Sequence, residues 1–97
     1  MDQSKTGWLK CEVLPGLFEN ERLVEVQEIA HGKKVSILVD SALVEVKETP
    51  QRDRPVEGLL RVIARLTGPD RAYVTLPVPS AELGSVISVR PQQLATP

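Results

Sequence analysis

Residues 59–76 read LLRVIARLTGPDRAYVTL, and the spacing of their apolar side chains decides the fold. Leu60, Val62, Ala64 and Leu66 recur at every second position, which places them on one face of a strand; a helix would repeat at every third and fourth. Gly68, Pro69 and Asp70 then break the run with residues suited to a turn. A three-residue loop there sets Leu66 opposite Ala72, Ala64 opposite Val74 and Val62 opposite Leu76, so that both strands bury one face. A two-residue loop would put Arg65 opposite Val74 and mix the faces. The odd loop is therefore expected. It leaves Arg61, Arg65, Arg71 and Tyr73 on the outward face, with Arg65 directly across from Tyr73.

Working outward, the same alternation predicts seven strands, at 8–14, 22–29, 34–39, 43–47, 59–66, 71–77 and 86–90. Residues 79–84 and 91–94 read as helical turns, because proline suits the first helical position and both pieces are too short for a stable helix. A second hairpin centres on His31 and Gly32. Pairing Ala30 with Lys33 sets Glu28 opposite Val35, Val26 opposite Ile37 and Val24 opposite Val39, through a two-residue loop with positive φ at both central residues.

The stretch ETPQRDRPVE at 48–57 holds two prolines and five charges and reads as a solvated connection. It joins segments 7–47 and 58–94, which align weakly as pseudo-repeats. Trp8-Leu9-Lys10 matches Leu59-Leu60-Arg61, Arg22-Leu23-Val24 matches Arg71-Ala72-Tyr73, and Ile37-Leu38-Val39 matches Ile87-Ser88-Val89, at offsets of 49 to 51. Neither segment is long enough to bury a core by itself, so the 97 residues are expected to form one domain.

Composition points the same way. Thirteen Val, twelve Leu and four Ile against one each of Phe, Tyr and Trp give an aliphatic core rich in β-branched residues. The fold expected is all-β, a small barrel or sandwich of about seven strands, SH3-like or OB-like in outline. That likeness is one of pattern, and such barrels carry many unrelated functions.

Several chemistries find no residues to run on. Cys11, the single cysteine, reads as a buried small hydrophobe and His31, the single histidine, as a turn residue, so a Cys–His pair is not expected. No acidic run has the spacing of a hard-metal cage, and Gly16, Gly32 and Gly68 sit in turns rather than in a phosphate-binding loop. No catalytic residue, metal or cofactor is expected. Asp2 in an N-terminus without an apolar stretch gives no secretory leader, and the longest nearly apolar run, 35–39, is far short of a membrane span. A cytoplasmic location and no membrane partner follow as expectations.

Two surfaces stand out. Leu17 and Phe18 are adjacent apolar residues in the polar loop PGLFENE, and alternation puts Trp8 and Ile63 on outward faces. An apolar patch of Trp8, Leu17, Phe18 and Ile63 would serve a non-catalytic protein-interaction or assembly module, with another protein or a second copy as partner. The alternative is an RNA- or DNA-contacting module that uses Arg61, Arg65, Arg71 and Tyr73. Residues 1–48 carry six basic and nine acidic side chains, while 49–97 carry six arginines and four acids, so the halves differ in sign around a net charge of −1.

Overall fold

In the computed structural model, which describes residues 4–95, two long strands form the spine. These are β1 (Lys5–Pro15) and β5 (Val56–Leu66), antiparallel from Lys5 opposite Ala64 to Val13 opposite Val56. On β1 are hung β2 (Glu21–Gln27) and then β3 (Lys34–Asp40). On β5 are hung β6 (Ala72–Ser80) and then β7 (Gly84–Val89). Two short strands, each following a 3₁₀ turn, complete the sheet: β4 (Val44–Val46) pairs with β5 and β8 (Leu94–Ala95) with β1. The eight antiparallel strands curl into a half-barrel, as expected of a small all-β, barrel-like fold, and no α-helix occurs among the described residues.

The inward side chains follow the period-two reading. Leu9 and Leu60, Val24 and Val74, Ile37 and Ile87, and Val39 and Val89 are all buried. Full burial of such a side chain contributes about 1.5–3 kcal/mol, and a sheet folded onto its own concave face is how so short a chain gathers enough of them. Edge strand β3 closes over β6 without forming a ladder. The seam is bridged by Ile29 N–H donating to the Ser88 carbonyl (2.9 Å) and Ser36 N–H donating to Glu82 Oε2 (3.2 Å). Both bonds occupy backbone groups that an open edge would offer to other chains.

The hairpin at 67–71 has the odd loop and the register expected, with Ala64 opposite Val74 and Arg65 opposite Tyr73. The first hairpin corrects the sequence reading by two residues. Val26 lies opposite Val35 and Val24 opposite Ile37, so the loop 29–32 has four residues, and Gly32 alone in it has positive φ. The cause is Glu28, which is 1% exposed and turns inward. Its carboxylate accepts from the His31 N–H (2.8 Å) and the Lys33 N–H (2.9 Å), filling the wider loop with acceptors for its own amides. A two-residue slide keeps every apolar residue on the same face, so alternation could not select between the registers.

Two smaller corrections follow. Residues 79–84 are no helical turn: β6 continues through Pro77 and Pro79 to Ser80, whose Oγ accepts from the Leu83 N–H (3.0 Å) and donates to the Gly84 carbonyl (2.9 Å) across a tight turn. The β6–β7 register shifts between Thr75 and Ser80, which removes the ladder bonds the prolines could not donate. Val56 and Glu57 belong to β5 rather than to the connection before it.

Ladder registers in the two halves are related by a nearly constant shift. Val13 pairs with Val24 as Ala64 pairs with Val74, and Val24 with Ile37 as Val74 with Ile87. Leu9 pairs with Leu94 as Leu60 pairs with Val44. The shift is 51 along the long strands and 50 elsewhere, so Arg22 corresponds to Ala72 and the offset of 49 read from sequence at that strand is replaced. Leu9 and Leu60 correspond to each other and pair with each other, which puts the relating axis through them.

Candidate functional site

The strongest local feature is the β1–β2 loop at 16–20. Gly16 N–H donates to the Glu21 carbonyl (3.1 Å), Glu21 N–H to the Phe18 carbonyl (3.0 Å), and Leu17 N–H to Glu21 Oε1 (3.0 Å). The Arg22 guanidinium ties the loop from below by donating to the carbonyls of Glu19 (2.9 Å) and Glu21 (2.8 Å). A Cβ on Gly16 would lie 2.5 Å from the Glu21 Cβ and 2.7 Å from its carbonyl carbon, so the turn closes this tightly because residue 16 lacks one. The product is a fixed turn that holds Leu17 79% and Phe18 70% exposed.

The second feature is the convex face of the spine. Outward side chains run along it in rows, read from the β1–β5 register: Glu12 beside Glu57, Lys10 beside Leu59, Trp8 beside Arg61, and Thr6 beside Ile63. Neighbouring strands extend the rows, with Glu25 next to Glu12, Thr75 next to Ile63, and Tyr73 next to Arg65. Glu25, Glu12 and Glu57 therefore form a row of three carboxylates across three strands. Like charges directly opposite repel, and the neutralising ion pair here is Lys34 to Glu12 (3.2 Å). Around this row lies an open groove of about 810 Å³, lined by Leu59, Lys10 and Lys47 as well as the carboxylates, and reached from the inward face by Cys11 and Val46.

The structure divides the residues expected to form one apolar patch. Leu17 and Phe18 stand beyond Pro15 at one end of the spine, whereas Ile63 lies opposite Thr6 toward the other end. Nine residues of strand separate those ends, about 30 Å. Trp8 is half-buried in the middle, between Arg61 on β5 and Ala95 on β8. Of the basic group, Arg61, Arg65 and Tyr73 share the convex face and are exposed, while Arg71 sits in the turn just before β6.

Cys11 and His31 are not brought together, since Cys11 lies mid-strand opposite Gly58 and His31 lies in the β2–β3 loop. Burial, helped by the Glu12 charge, pushes the Cys11 thiol up to about 12, which keeps it protonated and a poor nucleophile. At Glu28, burial works to raise the carboxyl, but hydrogen bonds from Lys33 and His31 outweigh it and hold the group below its ordinary 4.5. Among the described residues no group of three His, Cys, Asp or Glu is placed to hold a metal ion, and no helix is long and apolar enough to cross a membrane.

Sequence reasoning missed the groove and the carboxylate row, because they depend on the β1–β5 pairing across the long connection. It also missed the role of Glu28, although an acid at the inward position after Val24 and Val26 was a visible signal. Comparisons with protein-family models, curated proteins and solved structures find no match.

Proposed function

We propose that the protein is a non-catalytic interaction or assembly module whose anchor is the Leu17–Phe18 turn. The observation that carries this reading is the combination of exposure and rigidity. Two large apolar side chains stand in solvent on a loop with five internal backbone and side-chain tethers, at a cost in hydration that the fold itself does not recover. Pre-fixed apolar side chains are what a partner's pocket can bury with little loss of conformational freedom. The test is Phe18→Asp beside wild type, both tagged and exposed to the same cell extract. The variant is expected to melt at the wild-type temperature and to lose the proteins that wild type retains; a variant that unfolds would make Phe18 part of the core and overturn the reading.

A second reading is supported by the facing pair Arg65 and Tyr73, with Arg61 on the same face and none of the three in an ion pair among the described residues. Guanidinium groups around a phenol can hold a phosphate and stack one base. On this reading Arg65→Glu weakens binding to single-stranded oligonucleotides and flattens its salt dependence. Unchanged oligonucleotide binding would remove it.

A further inference from the structure

Taking the chain as an assembly module, we propose that the convex sheet face is a dimer interface and that its occupant is a second copy of this chain. The ridge of Trp8, Arg61, Ile63 and Arg65 on one copy seats in the groove around Glu12, Glu25, Glu57 and Leu59 on the other.

Charges on this face are left unmatched within one copy. Lys34 takes Glu12, but among the described residues Glu25 and Glu57 have no ion pair, and at the other end of the same face neither Arg61 nor Arg65 has one. One end of the face is thus a recess lined by four carboxylates, Glu12, Glu25, Glu45 and Glu57, against three lysines, Lys10, Lys34 and Lys47, and the other carries two arginines with no acid in the row between them. Shape follows the same division. Where the recess end of the spine has Leu59 and Glu12, the positions related to them by the shift of 51, at the other end, carry the larger Trp8 and the apolar Ile63.

A two-fold axis laid across the strands between the Lys10 and Trp8 rows makes this face complementary to itself. It sets the Lys10–Leu59 row against the partner's Trp8–Arg61 row and the Glu12–Glu57 row against the partner's Thr6–Ile63 row. The partner's two arginines then flank the acidic row, each one row away, about 7 Å and within reach of an extended guanidinium. Because the axis repeats the contact, both acidic rows are matched at once, as a closed two-fold interface requires. Trp8 and Leu59 lie in the two rows nearest the axis, beside Arg61 and Lys10, and Ile63 lies one row further out against the partner's Glu12–Glu57 row. The molecule's broad aspect of 39 × 26 Å can supply the roughly 800 Å² per partner that such an interface buries.

Sedimentation equilibrium of the full chain over a range of concentrations and salt decides it. Wild type is expected to approach twice 10.7 kDa and to dissociate more readily as salt rises. Arg61→Glu/Arg65→Glu and Glu12→Arg/Glu57→Arg are each expected to raise the dissociation constant by at least about 100-fold, since like charges then face each other. Mixing the two variants is expected to restore dimer, because each supplies the charge the other now lacks. Circular dichroism confirms that each variant is folded before it is scored. A wild-type monomer at every concentration overturns the proposal, and so does a dimer indifferent to both variants. If that monomer binds an oligonucleotide and Arg65→Glu abolishes the binding, the face belongs to nucleic acid. Partner capture through Phe18 is read in its own assay, so loss of the dimer and failure of the assembly reading remain distinguishable.

Discussion

Residues 5–46 and 56–95 pass through the same succession of three strands, a 3₁₀ turn and a short strand, yet they treat their two faces differently. Inward, corresponding positions carry matching residues: Leu9 and Leu60, Val24 and Val74, Ile37 and Ile87, Val39 and Val89. Outward, Glu12 corresponds to Ile63, Glu25 to Thr75, Lys10 to Arg61 and Leu59 to Trp8. Close packing explains the first set, because a concave face closed on itself leaves little freedom of volume. Nothing in the fold demands the second set. What distinguishes the two ends of the spine is therefore what the molecule offers to others: a recess and an exposed apolar tip at one, an arginine-rich ridge at the other.

The sharpest way to break this comparison is at the axis. Leu9→Ala and Leu60→Ala are each expected to cost about 2–5 kcal/mol in urea unfolding, and to agree within about 1 kcal/mol, because the two side chains are equivalent and both fully buried. A large difference would show that the shared ladder does not carry shared packing. The hairpin tips provide a smaller contrast. Gly16→Ala forces a backbone clash with Glu21 and is expected to cost about 1–3 kcal/mol, whereas Gly68→Ala meets nothing within 4 Å and should stay within about 0.5 kcal/mol. Equal effects would show that the Leu17–Phe18 turn is no stiffer than its counterpart.

The effect confined to acid is the narrowest. Because Glu28 is held below its ordinary 4.5 in the fold, its contribution to stability is present above that value and fades as the pH falls through the lower folded one. Wild type is expected to lose stability on acidification below pH 4.5 more steeply than Glu28→Gln, and parallel acid-unfolding curves for the two would contradict that role. The corresponding turn between β6 and β7 is closed without a carboxylate, by Ser80 Oγ accepting from the Leu83 N–H (3.0 Å) and donating to the Gly84 carbonyl (2.9 Å).

Much of this architecture was legible in the sequence wherever parity forced a choice. The loop at Gly68 was such a place, since an even loop would have buried Arg65. Parity is silent at His31, where a slide of two residues preserves every face, and the deciding contact there is a carboxylate whose inward turn follows from the loop it fills. β8 is too short to show a period. The groove was illegible because the partner of β1 lies beyond the 48–57 connection, whose length leaves the strand order free. Leu17 and Phe18 were visible as an anomaly of composition, but their separation from Ile63 depends on that same strand order.

The central claim is that the exposed turn exists for a protein partner. Its most direct measurement is the set of molecules retained from one cell extract by wild type and by Phe18→Asp, with the extract divided into nuclease-treated and untreated portions. The account predicts a discrete protein that wild type retains in both portions and Phe18→Asp retains in neither. Identical retention by the two proteins, or retention that disappears on nuclease treatment, would contradict it.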